Sequence, residues 1–198
     1  LKGYFPLDWM DTLNQPGTNL PSHCDRLKTP GIDMTTGSLG QGISLAAGMA
    51  QALKFDGSDR RVFCVIGDGE AQEGQVWEAL IFAAQRGLDN LIVFLDYNHM
   101  QLDGPTAQIG DLGDMRQKFE DFGWYAQQID GHDVDAIHEA ILSARASSGK
   151  PCAIVADTVK GKDCSFAEGK LNHHVTVSPE QAQEGLAHLE ALRRALNQ

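Results

Sequence analysis

The sequence predicts an α/β fold, a doubly wound and mainly parallel sheet flanked by helices. Two short apolar runs, Val62–Ile66 and Leu91–Leu95, are each followed by turn-forming polar residues, as is typical of buried strands. Between them, five apolar residues recur at helical spacing and would share one face of a helix that stops at Gly87: Val76, Trp77, Leu80, Ile81 and Ala84. Because a strand, a helix and a second strand in this order join parallel strands, the stretch predicts a parallel sheet.

The same alternation continues along the chain. A short helix is expected within residues 3–12, followed by a loop over 15–28 that is rich in turn-forming residues. The further elements are predicted, in order, as helix 40–54, the central strand–helix–strand unit, helix 115–122, strand 124–129, helix 133–143, strand 151–159 and helix 180–196. Asp133 is the expected N-cap of its helix. The sequence thus predicts at least four parallel strands alternating with helices.

The composition excludes several classes of protein. The chain has 198 residues, of which 42% are hydrophobic, an ordinary value for one globular domain. Its net charge of −11 argues against a nucleic-acid partner. No apolar run approaches the roughly 18 residues of a membrane span and no signal peptide is visible, so no membrane association is expected. The four cysteines, Cys24, Cys64, Cys152 and Cys164, are widely spaced without metal-ligand spacing, which indicates a reduced, cytoplasmic protein. Cys64 and Cys152 are expected to be buried core thiols.

Polar residues follow both strands of the central unit. Gly67, Asp68 and Gly69 end the first strand, and Asn98 follows the second. The carboxyl ends of parallel strands meet at one edge of a sheet, so the carboxylate and the amide can converge there. The glycines let backbone N–H groups approach a phosphate, and the following helix start favours negative charge. A carboxylate, an amide oxygen and a turn carbonyl suit Mg²⁺, so the pairing predicts a diphosphate site rather than a plain turn.

This arrangement resembles the thiamine-diphosphate motif, a Gly-Asp-Gly followed at a distance by an Asn. The flanking stretches TTGSLGQG, residues 35–42, and DGHD, residues 130–133, resemble transketolase. The resemblance spans nearly the whole chain and implies the thiamine-diphosphate-binding fold, with residues 1–198 as a single diphosphate-binding domain. The pyrimidine-binding and C-terminal domains have no match here, which implies the N-terminal subunit of a split transketolase. The chain begins with a leucine, and nothing matches the SxGH-type motif that the family carries earlier, so a missing N-terminal segment is expected.

The resemblance also implies a set of cofactor ligands. Asp68, Asn98 and the Met100 carbonyl would bind Mg²⁺, and the Gly69 N–H would bind the diphosphate. The remaining thiamine diphosphate contacts implied by the resemblance are Gly37 beside the thiazolium, the Leu39 carbonyl at the aminopyrimidine, and Gly67.

Three residues are implied to act in catalysis. His23 corresponds to the family's GHPD histidine, although the stretch here reads Ser-His-Cys-Asp, and His173 corresponds best to a histidine near the thiazolium. Both would face the sugar, although loop histidines are often simply exposed. Glu73 would couple two active sites through a glutamate of a neighbouring chain, although an acidic residue at a helix start is also a plain electrostatic choice. The adjacent histidines at positions 173 and 174 lack the additional, spaced ligands that a metal site needs.

The implied activity is transfer of a two-carbon ketol unit from a ketose, expected to be phosphorylated, to an aldose. The resemblance implies a second subunit that carries the pyrimidine-binding domain, in a heterotetramer, and no activity of the chain alone. The alternatives that share the Gly-Asp-Gly and Asn pair are a 1-deoxyxylulose-5-phosphate synthase-like enzyme and an E1-type 2-oxo acid dehydrogenase subunit. A non-catalytic regulatory paralogue is an alternative of another class, and loss of Asp68 or Asn98 would be expected in it.

Overall fold

The computed structural model describes residues 2–171, 173 and 175–196. Its main sheet has four strands in the order β1-β2-β6-β5, and each pair is parallel. A two-stranded antiparallel hairpin, β3 with β4, follows the second strand. The strands are β1 (Val62–Gly67), β2 (Leu91–Tyr97), β3 (Met100–Gln101), β4 (Gly104–Pro105), β5 (Tyr125–Asp130) and β6 (Cys152–Asp157).

Helices separate the strands of the main sheet, as the alternation predicts. The α-helices are α1 (Gln41–Phe55), α2 (Gly74–Gln85), α3 (Thr106–Ile109), α4 (Met115–Asp121), α5 (Val134–Ala146) and α6 (Pro179–Leu196). Two short 3₁₀ helices, Leu7–Thr12 and Glu70–Gln72, complete the described elements. None of the helices in the described ranges is long and apolar enough to cross a membrane.

Apolar side chains cover the sheet on both faces. On one face, Val93 and Leu95 of β2 pack with buried residues of α1, α2 and α4. On the other face, Ile92 and Ile154 pack against Ala140 and its neighbours in α5. Since side chains of a strand alternate between faces, β2 contributes to both layers. The predicted doubly wound α/β class is confirmed.

The strand register shows that the carboxyl ends of the parallel strands are level with one another. Gly67 is level with Asp96, and Tyr97 is level with Asp157. The loops that follow β1, β2, β5 and β6 therefore leave the sheet side by side. This edge carries Asp68 and Asn98, as the parallel arrangement predicts.

Three side chains in apolar stretches are exposed, although the apolar pattern predicts that they are buried. Ile81 is 58% exposed, because the buried face of α2 consists of Val76, Leu80 and the alanines beside them. In the apolar run that forms β1, Phe63 and Val65 are 52% and 72% exposed. β1 lies at an edge of the sheet, and the cluster under α5 is formed by residues of β2 and β6 rather than by these two side chains.

The four cysteines are free thiols. Cys152 is buried, as predicted. Cys64 is partly exposed and packs against the larger core cluster. Burial, together with the nearby charge of Glu70, raises the pKa of its thiol to about 11. A thiol that is protonated at neutral pH is a poor nucleophile, so Cys64 acts as a packing residue.

Candidate active site

Asp68 is the most deeply buried acidic residue at the sheet edge, with 3% of its surface exposed. Its carboxylate accepts hydrogen bonds from the backbone N–H groups of Gly69, at 2.8 Å, and His99. Burial raises the pKa of the Asp68 carboxyl and nearby Asp96 adds to the rise, while the two N–H groups oppose it. A bound cation would favour the charged form of this carboxyl, which burial disfavours.

The loop after β2 wraps around this carboxylate. Asn98 accepts a hydrogen bond from the Met100 N–H at its Oδ1, 3.0 Å away, and donates from Nδ2 to Asp96 at 3.1 Å. Between them, His99 adopts a left-handed conformation with φ of 61°, which turns its N–H back towards Asp68. The carboxylate of Asp68 and the amide of Asn98 are thus held on adjacent turns of backbone.

Met100 begins the β3–β4 hairpin and is fixed by it. It is paired with Pro105, and the Thr106 N–H donates to the His99 carbonyl at 2.9 Å. A Cβ added at Gly69 would lie 2.6 Å from the Cβ of Gln101, so the hairpin and the turn after β1 approach closely. This contact explains why a glycine follows Asp68.

The donor atoms at this edge fit a hard divalent cation. They are one carboxylate, one amide oxygen and one backbone carbonyl, and each oxygen keeps a lone pair beyond the bonds described above. No cluster of three or more His, Cys, Asp or Glu side chains that could hold a metal occurs within the described ranges. A cation here would therefore draw its other ligands from phosphate oxygens and water, as Mg²⁺ commonly does.

A second group forms on the glycine-rich loop before α1. The His23 ring lies so close to Gly37 that a Cβ at position 37 would overlap it, and Gly37 has a φ of 146°. Both residues line a cleft of about 400 Å³. A larger cleft of about 910 Å³ shares Gly37 with it and also contains Leu39 and Glu70. His23 and Gly37, predicted separately as substrate and cofactor contacts, are brought together.

Glu70 connects the turn after β1, which carries Asp68, with the glycine-rich loop before α1. This function of Glu70 was not predicted from the sequence. Its carboxylate accepts hydrogen bonds from the N–H of Gly40 at 2.9 Å and of Gly67 at 3.3 Å. The end of β1 and the start of α1 are therefore fastened by one side chain. The available signal was an acidic residue directly after Gly-Asp-Gly, but its partner at position 40 lies thirty residues away in the sequence.

Glu73 and His173 are not among the partners of the hydrogen bonds described above. Glu73 is the exposed N-cap residue of α2, makes no side-chain capping bond, and has its Cβ beside Gly40. His173 lies in an exposed bend, and the neighbouring Asn172 and His174 fall outside the described residues. The catalytic functions assigned to Glu73, His23 and His173 stay predictions.

The loop after β5 was also correctly placed. Asp133 caps α5, because its carboxylate accepts hydrogen bonds from the N–H groups of Asp135 and Ala136 at 2.9 and 3.1 Å. Asp130 accepts from the His132 N–H at 2.8 Å. The DGHD stretch, residues 130–133, therefore has a structural function, because its two aspartates fix the turn between β5 and α5.

Comparison with known proteins identifies the family. The family described as transketolase, thiamine diphosphate binding domain, matches residues 1–186. The chain belongs to the transketolase family. This transketolase chain is 52% identical over 191 residues to the 6-deoxy-6-sulfo-D-fructose transketolase subunit of Clostridium sp. (strain MSTE9), covering 96% of the chain and 70% of that relative. It is 38% identical to an apulose-4-phosphate transketolase subunit of Actinobacillus succinogenes, covering 95% of the chain and 68% of the relative.

Solved transketolase structures share the fold. The transketolase of Campylobacter jejuni superimposes with a TM-score of 0.78 at 32% identity, over 84% of this chain and 27% of that one. The transketolase of Pichia stipitis in complex with a sedoheptulose phosphate gives 0.76 at 30% identity, over 84% of this chain and 26% of that one. The chain thus spans about a quarter of these enzymes.

These findings confirm the function predicted from the sequence. The chain is a thiamine-diphosphate-binding transketolase subunit of the N-terminal type and a ketol transferase. They favour transketolase over the dehydrogenase and synthase alternatives that share the Gly-Asp-Gly and Asn pair.

Proposed function

We propose that this transketolase chain holds the diphosphate of thiamine diphosphate through Mg²⁺. Asp68, Asn98 and the Met100 carbonyl would be the protein ligands, and the Gly69 N–H would donate to a phosphate oxygen. The observation that carries the proposal is the buried Asp68 carboxylate, fixed by two backbone N–H groups beside the Asn98 amide. A charged oxygen held in this way is pre-organised for a hard cation.

The cofactor supplies an electron sink for the carbanion formed during ketol transfer. The chain's own contribution would be to orient the sugar and to move protons. His23, packed on Gly37 at the wall of the smaller cleft, can donate and accept hydrogen bonds at sugar hydroxyls. His173 would act similarly, and the Leu39 carbonyl would accept a hydrogen bond from the aminopyrimidine.

The donor sugar is proposed to carry an anionic group at the end remote from its carbonyl. The relative at 52% identity is named for 6-deoxy-6-sulfo-D-fructose, and the relative at 38% is named for apulose 4-phosphate. The higher identity favours the sulfonated ketose. Comparing kcat/KM for 6-deoxy-6-sulfo-D-fructose, fructose 6-phosphate and apulose 4-phosphate tests this choice, and a preference for a phosphorylated donor would contradict it.

A partner subunit is proposed to complete the active site. The relatives at 52% and 38% identity are both named as subunits. Leu45 on α1 and Ile81 and Phe82 on α2 are exposed apolar residues that a partner could cover. Two copies of each chain about a two-fold axis would give the predicted heterotetramer.

The metal assignment is tested by replacing Asp68 with Asn in the assembled protein. A neutral amide replaces the only charged protein ligand, so Mg²⁺ and thiamine diphosphate should bind at least about tenfold more weakly. Isothermal titration with cofactor at fixed Mg²⁺ gives the affinity. Asp103→Asn, in the exposed turn between β3 and β4, is the matched control and should bind like the wild type. Equal affinity of the Asp68 variant and the wild type would overturn the assignment.

A further inference from the structure

Asp96 connects the loops that follow three strands of the sheet. Its backbone carbonyl accepts a hydrogen bond from the Asp68 N–H at 3.2 Å. One carboxylate oxygen accepts from the Asn98 amide nitrogen at 3.1 Å, and the other accepts from the Thr158 hydroxyl. Neither Asp96 nor Thr158 belongs to the ligand set proposed above, yet both lie directly behind it.

The contact with Asp96 decides which way the Asn98 amide points. A carboxylate can only accept hydrogen bonds, so it selects the NH₂ side of the amide. The Oδ1 of Asn98 then faces the opposite way, where it accepts from the Met100 N–H. If the amide rotated by half a turn, the NH₂ group would replace the oxygen and could not bind a cation.

Thr158 is in turn fixed by the DGHD loop. Its N–H donates to the carbonyl of Tyr97, the last residue of β2, at 3.2 Å. On the other side, a Cβ at Gly131 would overlap the Thr158 methyl group and would lie 2.9 Å from the Asp157 carbonyl. The Val159 N–H donates to the His132 Nε2 at 2.8 Å. The residues on both sides of the threonine are therefore anchored, and a glycine is required at 131 for the loop to approach.

We propose that Asp96 and Thr158 are positioning residues that keep the oxygen of Asn98 directed at the metal, with Gly131 and His132 holding Thr158 in place. The inference rests on the proposed function, since it needs Asn98 to be a ligand. It gives the DGHD loop a function at the cofactor site that acts through Thr158. Groups that orient metal ligands typically change metal affinity by about 10–100-fold when they are removed.

The test is a pair of substitutions at Thr158 in the assembled protein. Thr158→Val keeps the shape against Gly131 but removes the hydroxyl, and Thr158→Ser keeps the hydroxyl. The Kd of Mg²⁺, titrated at saturating thiamine diphosphate, should rise about tenfold in the valine variant and stay near the wild-type value in the serine variant. Thr12→Val is the matched control, because Thr12 also loses a hydroxyl that bonds within the chain, at Trp9. It should leave the Kd unchanged.

Further measurements separate positioning from stability and from the ligand assignment. The thermal midpoint of the metal-free protein should fall further in Thr158→Val than in Thr158→Ser, because only the valine variant loses the hydrogen bond to Asp96. The Kd is therefore measured at a temperature at which both variants are folded. An unchanged Kd in Thr158→Val, with a large loss in Asn98→Ala, would overturn this inference and leave the proposed function standing. An unchanged Kd in Asn98→Ala would overturn both. A raised Kd in Thr158→Ser equal to that of the valine variant would show a packing effect and would also overturn the inference.

Discussion

At the scale of single residues, the site depends on where the backbone directs a few polar groups. Asp68 keeps its carboxylate in place with two N–H groups, one of which comes from His99 in a left-handed turn. The sequence places Asp68 and Asn98 at adjacent strand ends, since a buried strand that ends in a polar turn is visible in its pattern. It does not indicate the His99 contact, because an unusual φ at a histidine has no signal of its own.

The contact of His23 with Gly37 leads to the first prediction. His23→Ala should lower kcat about 10²-fold while leaving thiamine diphosphate affinity nearly unchanged, because the ring lines the smaller cleft, where the sugar is proposed to bind. Steady-state kinetics at saturating cofactor, together with calorimetric titration, measure both quantities. His138→Ala, on the exposed side of α5, is the control and should change neither. Lost cofactor binding with spared turnover would show that the function assigned to His23 is wrong.

A substitution at Gly37 gives the second prediction. Gly37→Ala should reduce kcat/KM at least about tenfold, because φ of 146° is strained for alanine and its Cβ would displace the His23 ring. Gly48→Ala in α1 is the matched control, since its Cβ would meet nothing within 4 Å. Kinetics of the two variants side by side check the prediction. Equal activity of the Gly37 and Gly48 variants would contradict it.

At the scale of elements, hydrophobic periodicity predicts the strands and most helices, whereas the order of strands in the sheet determines which loops are neighbours. Helix 40–54 was expected and α1 spans Gln41–Phe55. The insertion of β6 between β2 and β5 was not predictable, because crossover connections leave no local pattern. That insertion places Thr158 beside Asp96, sixty-two residues away, so this part of the site could not be found from the sequence.

Asp89 fastens three elements at the opposite end of the sheet. Its carboxylate accepts hydrogen bonds from the Lys54 ammonium at 2.7 Å and from the Gly149 N–H at 2.8 Å. Lys54 also donates to the Gly87 carbonyl at 2.6 Å. Burial alone would raise the pKa of Asp89, but the bonds from Lys54 and Gly149 outweigh it, and the pKa lies below its ordinary value of 3.8.

The third prediction follows from this lowered pKa. A carboxyl whose pKa is lower in the folded state stabilises the fold above about pH 4, and the stabilisation is lost as pH falls through the folded pKa. Asp89→Asn should therefore reduce the free energy of unfolding by about 1 kcal/mol at pH 7 and by less at pH 3. Urea unfolding of the variant and the wild type at both pH values measures this change in free energy. Asp59→Asn, in an exposed loop, is the control for loss of one negative charge. A loss of stability that is the same at pH 3 and pH 7 would contradict the prediction.

At the scale of the whole molecule, the described residues expose apolar side chains beside the larger cleft and on α2. Leu39, which lines the larger cleft, is 57% exposed, and Ile81 on α2 is 58% exposed. Ketol transfer proceeds through a carbanion that water would protonate, so a site of this kind needs its walls closed. The chain presents one wall, and a partner subunit is the proposed source of the other.

The last prediction is that the chain is inactive alone and that α2 contributes to assembly. Ketol transfer from a ketose should be measurable with the chain and its partner subunit together and should fall below detection for the chain by itself. Ile81→Glu should weaken assembly at least about tenfold, because it places a charge in an apolar contact, whereas Val134→Glu, at an exposed position of α5, should not. Sedimentation velocity of the mixed subunits gives the assembly constant. Ketol transfer by the isolated chain, or undiminished assembly of the Ile81 variant, would contradict the partner model, since either result means that the site closes without a second chain on α2.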